Sequence, residues 1–194
     1  YPGTNVNPLR DMRTDYNRVR MTRIFGTAHG AVEIIKGLKL KEVLSYDYSI
    51  QKDARYFNAL RGAGPKSGSD AQSSKGFIEY GKLISSTSLN YVRTFANKHH
   101  LDVLAAYEAE SFQTDKAAGE KSKMPSDQLF EPDNAAVINS FVSSTQDYRL
   151  LSYLTRLNYD YDNRYYIAGS FRRDGSSRLA PEHRWGNFWS VSGM

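Results

Sequence analysis

The sequence predicts an all-β chain of long antiparallel strands, either a segment of a transmembrane β-barrel or a soluble sheet with one wet face. Apolar and polar residues alternate with a period of two over stretches about twice the 5–6 residues of an ordinary strand. Short turn signals and long polar connections follow one another along the chain. All six prolines fall outside the predicted strands, as the hydrogen bonding of a sheet requires.

The clearest hairpin runs from Leu151 to Asp174 around a turn at Asp162-Asn163. Its apolar positions are Leu151, Tyr153, Thr155, Leu157, Tyr159, Tyr161, Tyr165, Ile167, Gly169 and Phe171, and the alternate positions are Ser152, Leu154, Arg156, Asn158, Asp160, Tyr166, Ala168, Ser170, Arg172 and Asp174. Successive strand residues point to opposite faces, so one face is predicted to be apolar and the other mostly polar. Each arm reaches the length of about 9–11 residues that crosses a bilayer. Four tyrosines, Tyr159, Tyr161, Tyr165 and Tyr166, lie where an aromatic girdle would be.

The first part of the chain is predicted to contain a polar loop, two strands and a second loop. The loops cover residues 1–21 and 51–75, and the strands begin near residues 22 and 38. A helix from Ala31 to Leu44 is the local alternative, but Gly37 lies in its middle and no convincing N-cap precedes it. The glycines of 51–75 do not have the spacing of a phosphate-binding loop.

The rest of the chain is predicted to contain five strands, which begin near residues 76, 101, 145, 165 and 186. Residues 97–100 form a turn whose paired histidines suggest metal binding, but adjacent strand residues point apart, so a solvated turn is favoured. Asp102, Glu108 and Glu110 share one face, which suits a water-filled lumen better than a dry core. The other loops cover 113–144, where Asp133-Asn134 caps a short helix through Phe141, and 175–184.

The connections alternate in length along the chain. The turns near residues 36, 98 and 162 are short, and the three connections at 51–75, 113–144 and 175–184 are longer. This alternation is typical of outer-membrane barrels with short periplasmic turns and long extracellular loops. Seven strands are an odd number, and an open edge in hydrocarbon would leave backbone groups unpaired. We therefore expect the strands to belong to a larger barrel.

Composition and motif content exclude several classes of function. No window of 18 apolar residues predicts a transmembrane helix, and the absence of cysteine excludes disulfides and thiolate metal sites. The net charge of +5 is interleaved with acidic residues rather than clustered, which disfavours nucleic-acid binding. No catalytic arrangement, metal-ligand spacing or cofactor loop is recognisable, so we predict no enzyme, no metal and no cofactor. The N-terminus lacks a signal-peptide pattern, and we expect the start to be missing.

A series of motifs near the end of the chain has a specific order and spacing. It comprises Ser152-Tyr153, Arg156, Asn158-Tyr159-Asp160-Tyr161, Arg172-Arg173-Asp174-Gly175-Ser176-Ser177-Arg178, Arg184-Trp185-Gly186-Asn187-Phe188 and Ser190-Val191-Ser192-Gly193. With a weaker echo at Ile35–Lys41, these residues resemble the SusC/RagA family of TonB-dependent outer-membrane transporters. The resemblance covers the chain from about residue 20. Leu179 and Trp189 depart from the family pattern, which favours Phe and Pro at these positions.

The resemblance implies a 22-stranded barrel in which residues 1–194 form part of the barrel domain, without the N-terminal plug, the TonB-contacting segment or the signal peptide. It implies an outer-membrane location, energy from the TonB complex, a SusD-like surface lipoprotein as partner, and import of a large substrate such as an oligosaccharide or peptide. Arg156, Asn158, Arg172 and Asp174 would line the lumen or pair with one another, and loop tyrosines would stack on sugar rings. The substrate-binding residues stay unknown. The alternatives are a passive or structural outer-membrane barrel and a soluble glycan-binding sheet.

Overall fold

The structure, a computed structural model, describes residues 8–59, 71–126 and 128–194. Seven strands are hydrogen-bonded in chain order in one sheet: β1 Tyr16–Ile35, β2 Leu38–Phe57, β3 Gln72–Phe95, β4 His99–Ser122, β5 Val137–Tyr161, β6 Tyr165–Ser176 and β7 Trp185–Gly193. The predicted all-β fold with seven strands is confirmed, and the alternative helix over 31–44 is wrong because those residues form β1, a turn and β2. In the described part of the chain, no helix is both long enough and apolar enough to span a membrane.

The strands are longer than predicted, and each predicted long loop is shorter. The segment 1–21 contains a helix, α1 Pro8–Thr14, and the start of β1. The connection predicted at 51–75 lies between Phe57 and Gln72, and the one predicted at 113–144 lies between Ser122 and Val137. In the added strand residues the apolar side chains do not alternate with polar ones, as in the adjacent pairs Val137-Ile138 and Phe141-Val142, so these segments lack the periodic signal of a half-apolar strand. Residues 1–7, 60–70 and 127 of the predicted loops lie outside the described residues.

The predicted helix through Phe141 is also wrong. Only a single 3-10 turn, Pro132–Asn134, forms there, and Glu131 at its start makes no side-chain capping hydrogen bond. Residues from Val137 onward are paired within β5 instead. The predicted loop at 175–184 is confirmed between β6 and β7, and it contains a second 3-10 turn, Pro181–His183.

All three predicted tight turns are confirmed. Ala96 and Asn97 have φ values of 51° and 55°, and Asp162 and Asn163 have values of 54° and 56°. Positive φ at both central residues matches the twist of the adjoining strands. The third turn contains Gly37 at φ 85°. The paired histidines follow their turn, because β4 already begins at His99, so their placement within the turn is wrong.

Replacing Gly37 by alanine is expected to destabilise the turn between β1 and β2. A Cβ atom there would lie 2.3 Å from the carbonyl oxygen of Val92, and the backbone is left-handed. The left-handed conformation alone costs an L-residue about 1–2 kcal/mol. The measurement is the urea dependence of unfolding of the protein in lipid vesicles. Gly81→Ala is the control, because a Cβ at Gly81 meets nothing within 4 Å, and an equal loss in both variants would contradict the role of the turn.

The chain forms two compact units. The first unit contains the described residues of Tyr1–Arg23, Tyr48–Tyr80 and Thr114–Gln146, and has a small core of its own. In that core Tyr56 is 1% exposed and stacks on Tyr16, with ring centroids 6.0 Å apart, while Phe130 packs edge-on against Tyr56 at 5.7 Å. The side chain of Ser73 donates a hydrogen bond to the carbonyl of Phe130. These contacts hold the connection between β4 and β5 against the strands.

The second unit contains Ile24–Asp47, Gly81–Gln113 and Asp147–Met194. Among its described residues, no apolar side chain is fully buried. An aqueous globular domain is stabilised mainly by apolar burial, so this unit lacks the stabilisation that such a domain has. It contains the strand segments that adjoin the three tight turns, together with the loop between β6 and β7 and the whole of β7. A single layer of strands is the architecture expected of a wall that separates two environments.

Candidate functional site

The antiparallel register of β5, β6 and β7 separates two faces. Leu157 pairs with Gly169 and Phe171 with Trp189 on one face, and Arg156 pairs with Ser170 on the other. We call the first the apolar face: Leu151, Tyr153, Thr155, Leu157, Tyr159, Tyr161, Tyr165, Ile167, Gly169, Phe171, Trp189 and Val191. We call the second the polar face: Ser152, Leu154, Arg156, Asn158, Asp160, Tyr166, Ala168, Ser170, Arg172, Asp174, Ser190 and Ser192. The division predicted for the hairpin is therefore confirmed.

Aromatic side chains gather at two levels of the apolar face. Near the turns, His99 stacks on Phe95 with ring centroids 4.9 Å apart, and His99 Nδ1 lies 2.7 Å from the hydroxyl oxygen of Tyr159. Tyr161 and Tyr165 stack beside this pair, with centroids 6.4 Å apart. Of the four tyrosines predicted at this level, Tyr166 is the exception, because it pairs with Asp160 on the polar face.

The second aromatic level lies nearer the loops and centres on Tyr153. Its ring lies 5.4 Å from that of Tyr107 and 6.1 Å from that of Trp185. The Arg173 guanidinium covers the Trp185 ring at 4.8 Å, and a Cβ on Gly175 would lie only 2.8 Å from that ring. Tyr153 and Tyr161 are eight residues apart on β5, which is about 26 Å along a strand and about 20 Å along the normal at a tilt of about 40°.

The apolar face between these levels is uncovered. Trp189 and Val191 are 78% and 73% exposed, and Leu157 in the middle is 43% exposed. Contiguous apolar surface of this kind marks contact with lipid or with another protein. Two aromatic levels that flank an apolar band are the arrangement that transmembrane barrels present to a bilayer.

Charged side chains on the opposite side of the strands are cross-linked in pairs. Lys82 Nζ lies 2.9 Å from a carboxylate oxygen of Glu110, and the Tyr148 hydroxyl donates a 3.0 Å hydrogen bond to the other carboxylate oxygen. The Tyr148 ring stacks on Phe112 at 4.8 Å, and the Arg178 guanidinium lies 4.1 Å above it. This network joins β3, β4 and β5 to the loop between β6 and β7.

Two more networks hold the residues predicted to line a lumen. Arg172 Nε donates to both carboxylate oxygens of Asp174 at 2.8 Å, so these two residues form the predicted ion pair. Arg172 also donates a 3.4 Å hydrogen bond to the Ser152 hydroxyl. Arg156 lies 3.7 Å from Asp102, which accepts a 2.7 Å hydrogen bond from Asn90.

Asn158, the fourth predicted lumen residue, lines a hollow of about 540 Å³. Its neighbours in the lining include His100, Asp102, Asp160 and Tyr166. His100 Nδ1 lies 2.9 Å from the Thr94 hydroxyl, whereas His99 contacts the aromatic residues of the apolar face, so the two histidines point apart as predicted. Within the described ranges, no group of three or more His, Cys, Asp or Glu side chains is arranged to hold a metal ion.

The structure changes the prediction for sugar-stacking tyrosines. Tyr56 belongs to the segment predicted as the 51–75 loop, but it lies in β2 and is 1% exposed against Tyr16 and Phe130. It is therefore unavailable to a ligand. The sequence did not reveal the partners of Glu110, because Lys82 and Tyr148 come from other strands. The pairing of Gly175 with Trp185 had a visible signal, since both residues belong to the conspicuous motifs near the end of the chain.

Comparison with known proteins finds relatives of one kind. The chain is 27% identical over 198 residues to TonB-dependent receptor P39 of Formosa agariphila, covering 96% of this chain and 18% of the relative. It is 40% identical over 62 residues to TonB-dependent receptor SusC of Bacteroides thetaiotaomicron, covering 32% of this chain and 6% of SusC. TonB-dependent receptor P3 of F. agariphila is 26% identical over 165 residues, 82% of this chain and 16% of the relative. No protein-family model matches.

Solved structures share the fold. The RagAB peptide transporter superposes with a TM-score of 0.85 at 21% identity, covering 93% of this chain and 20% of that chain. The RagAB peptide importer in its closed-closed state gives 0.86 at 20% identity, with the same coverage. The chain thus spans about a fifth or less of the length of the proteins it matches. These matches confirm the predicted resemblance to the SusC/RagA family: the curated relatives are TonB-dependent receptors, SusC among them, and the RagAB structures share the fold of this segment.

Proposed function

We propose that the chain forms part of the wall of an outer-membrane transporter that imports a large substrate with energy from the TonB complex. The observation that supports this proposal is a single layer of strands with one apolar face and one polar face. An apolar band between two aromatic levels suits the bilayer, and the opposite side is polar and contains charges that are neutralised in pairs. A water-filled lumen accommodates such pairs, whereas a dry core would penalise each imperfect one.

The two faces set the orientation that we propose. The apolar face is directed to lipid and the polar face to the lumen. The three tight turns lie at the periplasmic end, and the connections between β2 and β3, β4 and β5, and β6 and β7 lie at the extracellular end, as in other outer-membrane barrels. We further propose that these seven strands are completed by others into a closed barrel that contains a plug, because an open edge in hydrocarbon would leave backbone groups unpaired.

The proposed cargo is a large polar molecule, an oligosaccharide or a peptide, and the proposed partner is a SusD-like surface lipoprotein. Support comes from the family, since one relative is SusC and the structural neighbour is named a peptide transporter. Within the segment, Arg156, Arg172 and Asp174 already have protein partners. We therefore assign these residues to the wall rather than to substrate binding.

Uptake measured in cells with and without TonB tests the proposal. Cells that produce the whole receptor and its lipoprotein partner receive labelled oligosaccharides and labelled peptides. We expect accumulation of one of these classes, and we expect it to fall to background when TonB is deleted or the proton gradient is collapsed. A general porin in the same cells is the control, because passive entry is independent of TonB. Uptake that persists without TonB would instead indicate a passive barrel, and a receptor recovered in the soluble fraction would indicate the soluble alternative.

A further inference from the structure

A hollow of about 470 Å³ in the first unit combines cations with small and aromatic side chains. We call it the basic hollow. It crosses five neighbouring strands, and its lining includes Arg18, Arg20, Lys52, Ala54, Lys75, Phe77, Ala117, Gly119 and Phe141. The hollow is open because the alanine and glycine side chains are small, and the two phenylalanines provide an apolar surface within it.

The alternation of the strands places the basic hollow on the lipid side. Lys52 and Ala54 are even-numbered residues of β2, like Leu44 and Tyr46, and strand side chains two apart share a face. Arg18 and Arg20 share the even parity of Ile24 on β1. Lys75, Phe77, Ala117, Gly119 and Phe141 have the odd parity of Leu83, Tyr107 and Tyr153 on β3, β4 and β5. This step rests on the proposed function, which directs that side to the membrane and the loop ends to the extracellular leaflet.

Three cations of the basic hollow carry uncompensated charge. Within the part of the chain that the structure describes, Arg18, Arg20 and Lys52 are exposed and have no carboxylate in salt-bridge distance. Lys75, the fourth cation, is paired with Glu131. This differs from the polar face, where Arg156 and Arg172 each have a carboxylate partner.

The one carboxylate in the lining does not neutralise these cations. Asp53 accepts two hydrogen bonds from the Gln51 amide, at 3.2 and 3.3 Å. As a neighbour of Lys52 on the strand, its side chain points to the other face. Among the described residues, the basic hollow is therefore an apolar recess bordered by three positive charges without an ion-pair partner.

We propose that the basic hollow binds a phosphorylated glycolipid of the outer leaflet. Guanidinium groups match the geometry of phosphate oxygens, and a lysine adds a mobile point charge. Phe77, Phe141 and the small residues accept the sugar or acyl portion of the same molecule. A free phosphate ion would use the charges and leave the apolar recess unused, which is why the proposal commits to the lipid.

Binding of monophosphoryl lipid A to the purified whole receptor in detergent tests the proposal. The Arg18→Gln/Arg20→Gln/Lys52→Gln variant is expected to bind about 100-fold more weakly, at about fivefold for each basic residue near an anionic lipid. The matched control is Lys36→Gln/Lys39→Gln/Lys41→Gln, which removes the same charge from exposed positions near a tight turn and is expected to bind like wild type. Ala117→Phe keeps every charge but fills the recess, and it is also expected to weaken binding.

Several results would overturn the glycolipid site. They are triple-glutamine binding within twofold of wild type, equal binding of dephosphorylated lipid A, or displacement of the lipid by an equal concentration of inorganic phosphate. Should the triple variant fail to fold, single Arg20→Gln still predicts about a fivefold loss. Fractionation and TonB-dependent uptake are scored in parallel. If the receptor inserts and imports normally but binds the lipid equally well with and without the three cations, the glycolipid site alone is refuted. A receptor absent from the outer membrane would refute the proposed function.

Discussion

Leu157→Arg is expected to destabilise the membrane-inserted barrel by about 2–4 kcal/mol, the cost of an arginine on the lipid face at the bilayer midplane. Leu157 lies on the apolar face, opposite Gly169 and midway along β5 between Tyr153 and Tyr161. The charge would be buried in hydrocarbon with no lipid headgroup within easy reach. The measurement is the urea dependence of folding of the whole receptor in lipid vesicles, followed by heat-modifiable migration on a gel.

Asn158→Arg is the matched control, because it introduces the same side chain one residue along the same strand. Asn158 lies on the polar face and lines a hollow beside Asp102 and Asp160. We expect a change within about 0.5 kcal/mol, which is usual for a substitution at a solvated position. Equal costs for the two arginines would contradict the assignment of lipid and lumen to the two faces.

Glu110→Ala is expected to cost about 1.5–3 kcal/mol, the range for hydrogen bonds to a charged group. The Glu110 side chain is only 14% exposed and joins Lys82 of β3 to Tyr148 of β5. Its removal leaves the Lys82 ammonium, which is 34% exposed, without its ion-pair partner. The same urea titration measures the loss, and a second measurement follows protease cleavage after Arg178, whose guanidinium lies over Tyr148.

The control for the second prediction is Glu108→Ala. Glu108 lies two residues earlier on the same side of β4 and is exposed. We expect no measurable loss there, because single exposed charges contribute little to stability. If both glutamates proved equally dispensable, the cross-strand network would have no structural role, and the polar face would be an ordinary solvated surface.

The hairpin of β5 and β6 was predictable because its two faces differ in polarity, so apolar and polar residues alternate along each strand. The turn at Asp162-Asn163 was predictable for a different reason, since these residues tolerate positive φ better than most. Both signals are local. The residues that determine the two faces and the turn all lie within the hairpin itself, and the structure confirms both features.

Strand ends and cross-strand partners were less predictable because their causes are distant in sequence. The extension of β5 back to Val137 has apolar residues in adjacent pairs rather than at alternate positions, and its strand pairing depends on neighbours that the local pattern does not reveal. Asp102 and Arg156 are far apart in the chain, and they meet only once the register of β4 and β5 is set. Likewise, nothing near Tyr56 indicated that Phe130 would cover it.

The basic hollow was also not predictable from the sequence, because its residues are distant from one another in the chain. Its cations are scattered over three strands, and no stretch of sequence contains a dense basic cluster. Their meeting depends on the pairing of β1, β2 and β3 in chain order. The conspicuous motif from Arg172 to Arg178, by contrast, was easy to see, and its residues contact one another and their neighbouring strands rather than forming an open site.

Cysteine scanning from Leu151 to Tyr161 tests the division of the wall most directly. The chain contains no cysteine, so single cysteines in an otherwise cysteine-free receptor can carry a nitroxide label in lipid vesicles. Accessibility to oxygen, which concentrates in lipid, is compared with accessibility to a water-soluble nickel chelate. We predict a period of two, with odd-numbered positions favouring oxygen and even-numbered positions favouring the chelate. Equal access of the chelate to both sets would contradict a wall between lipid and a water-filled lumen.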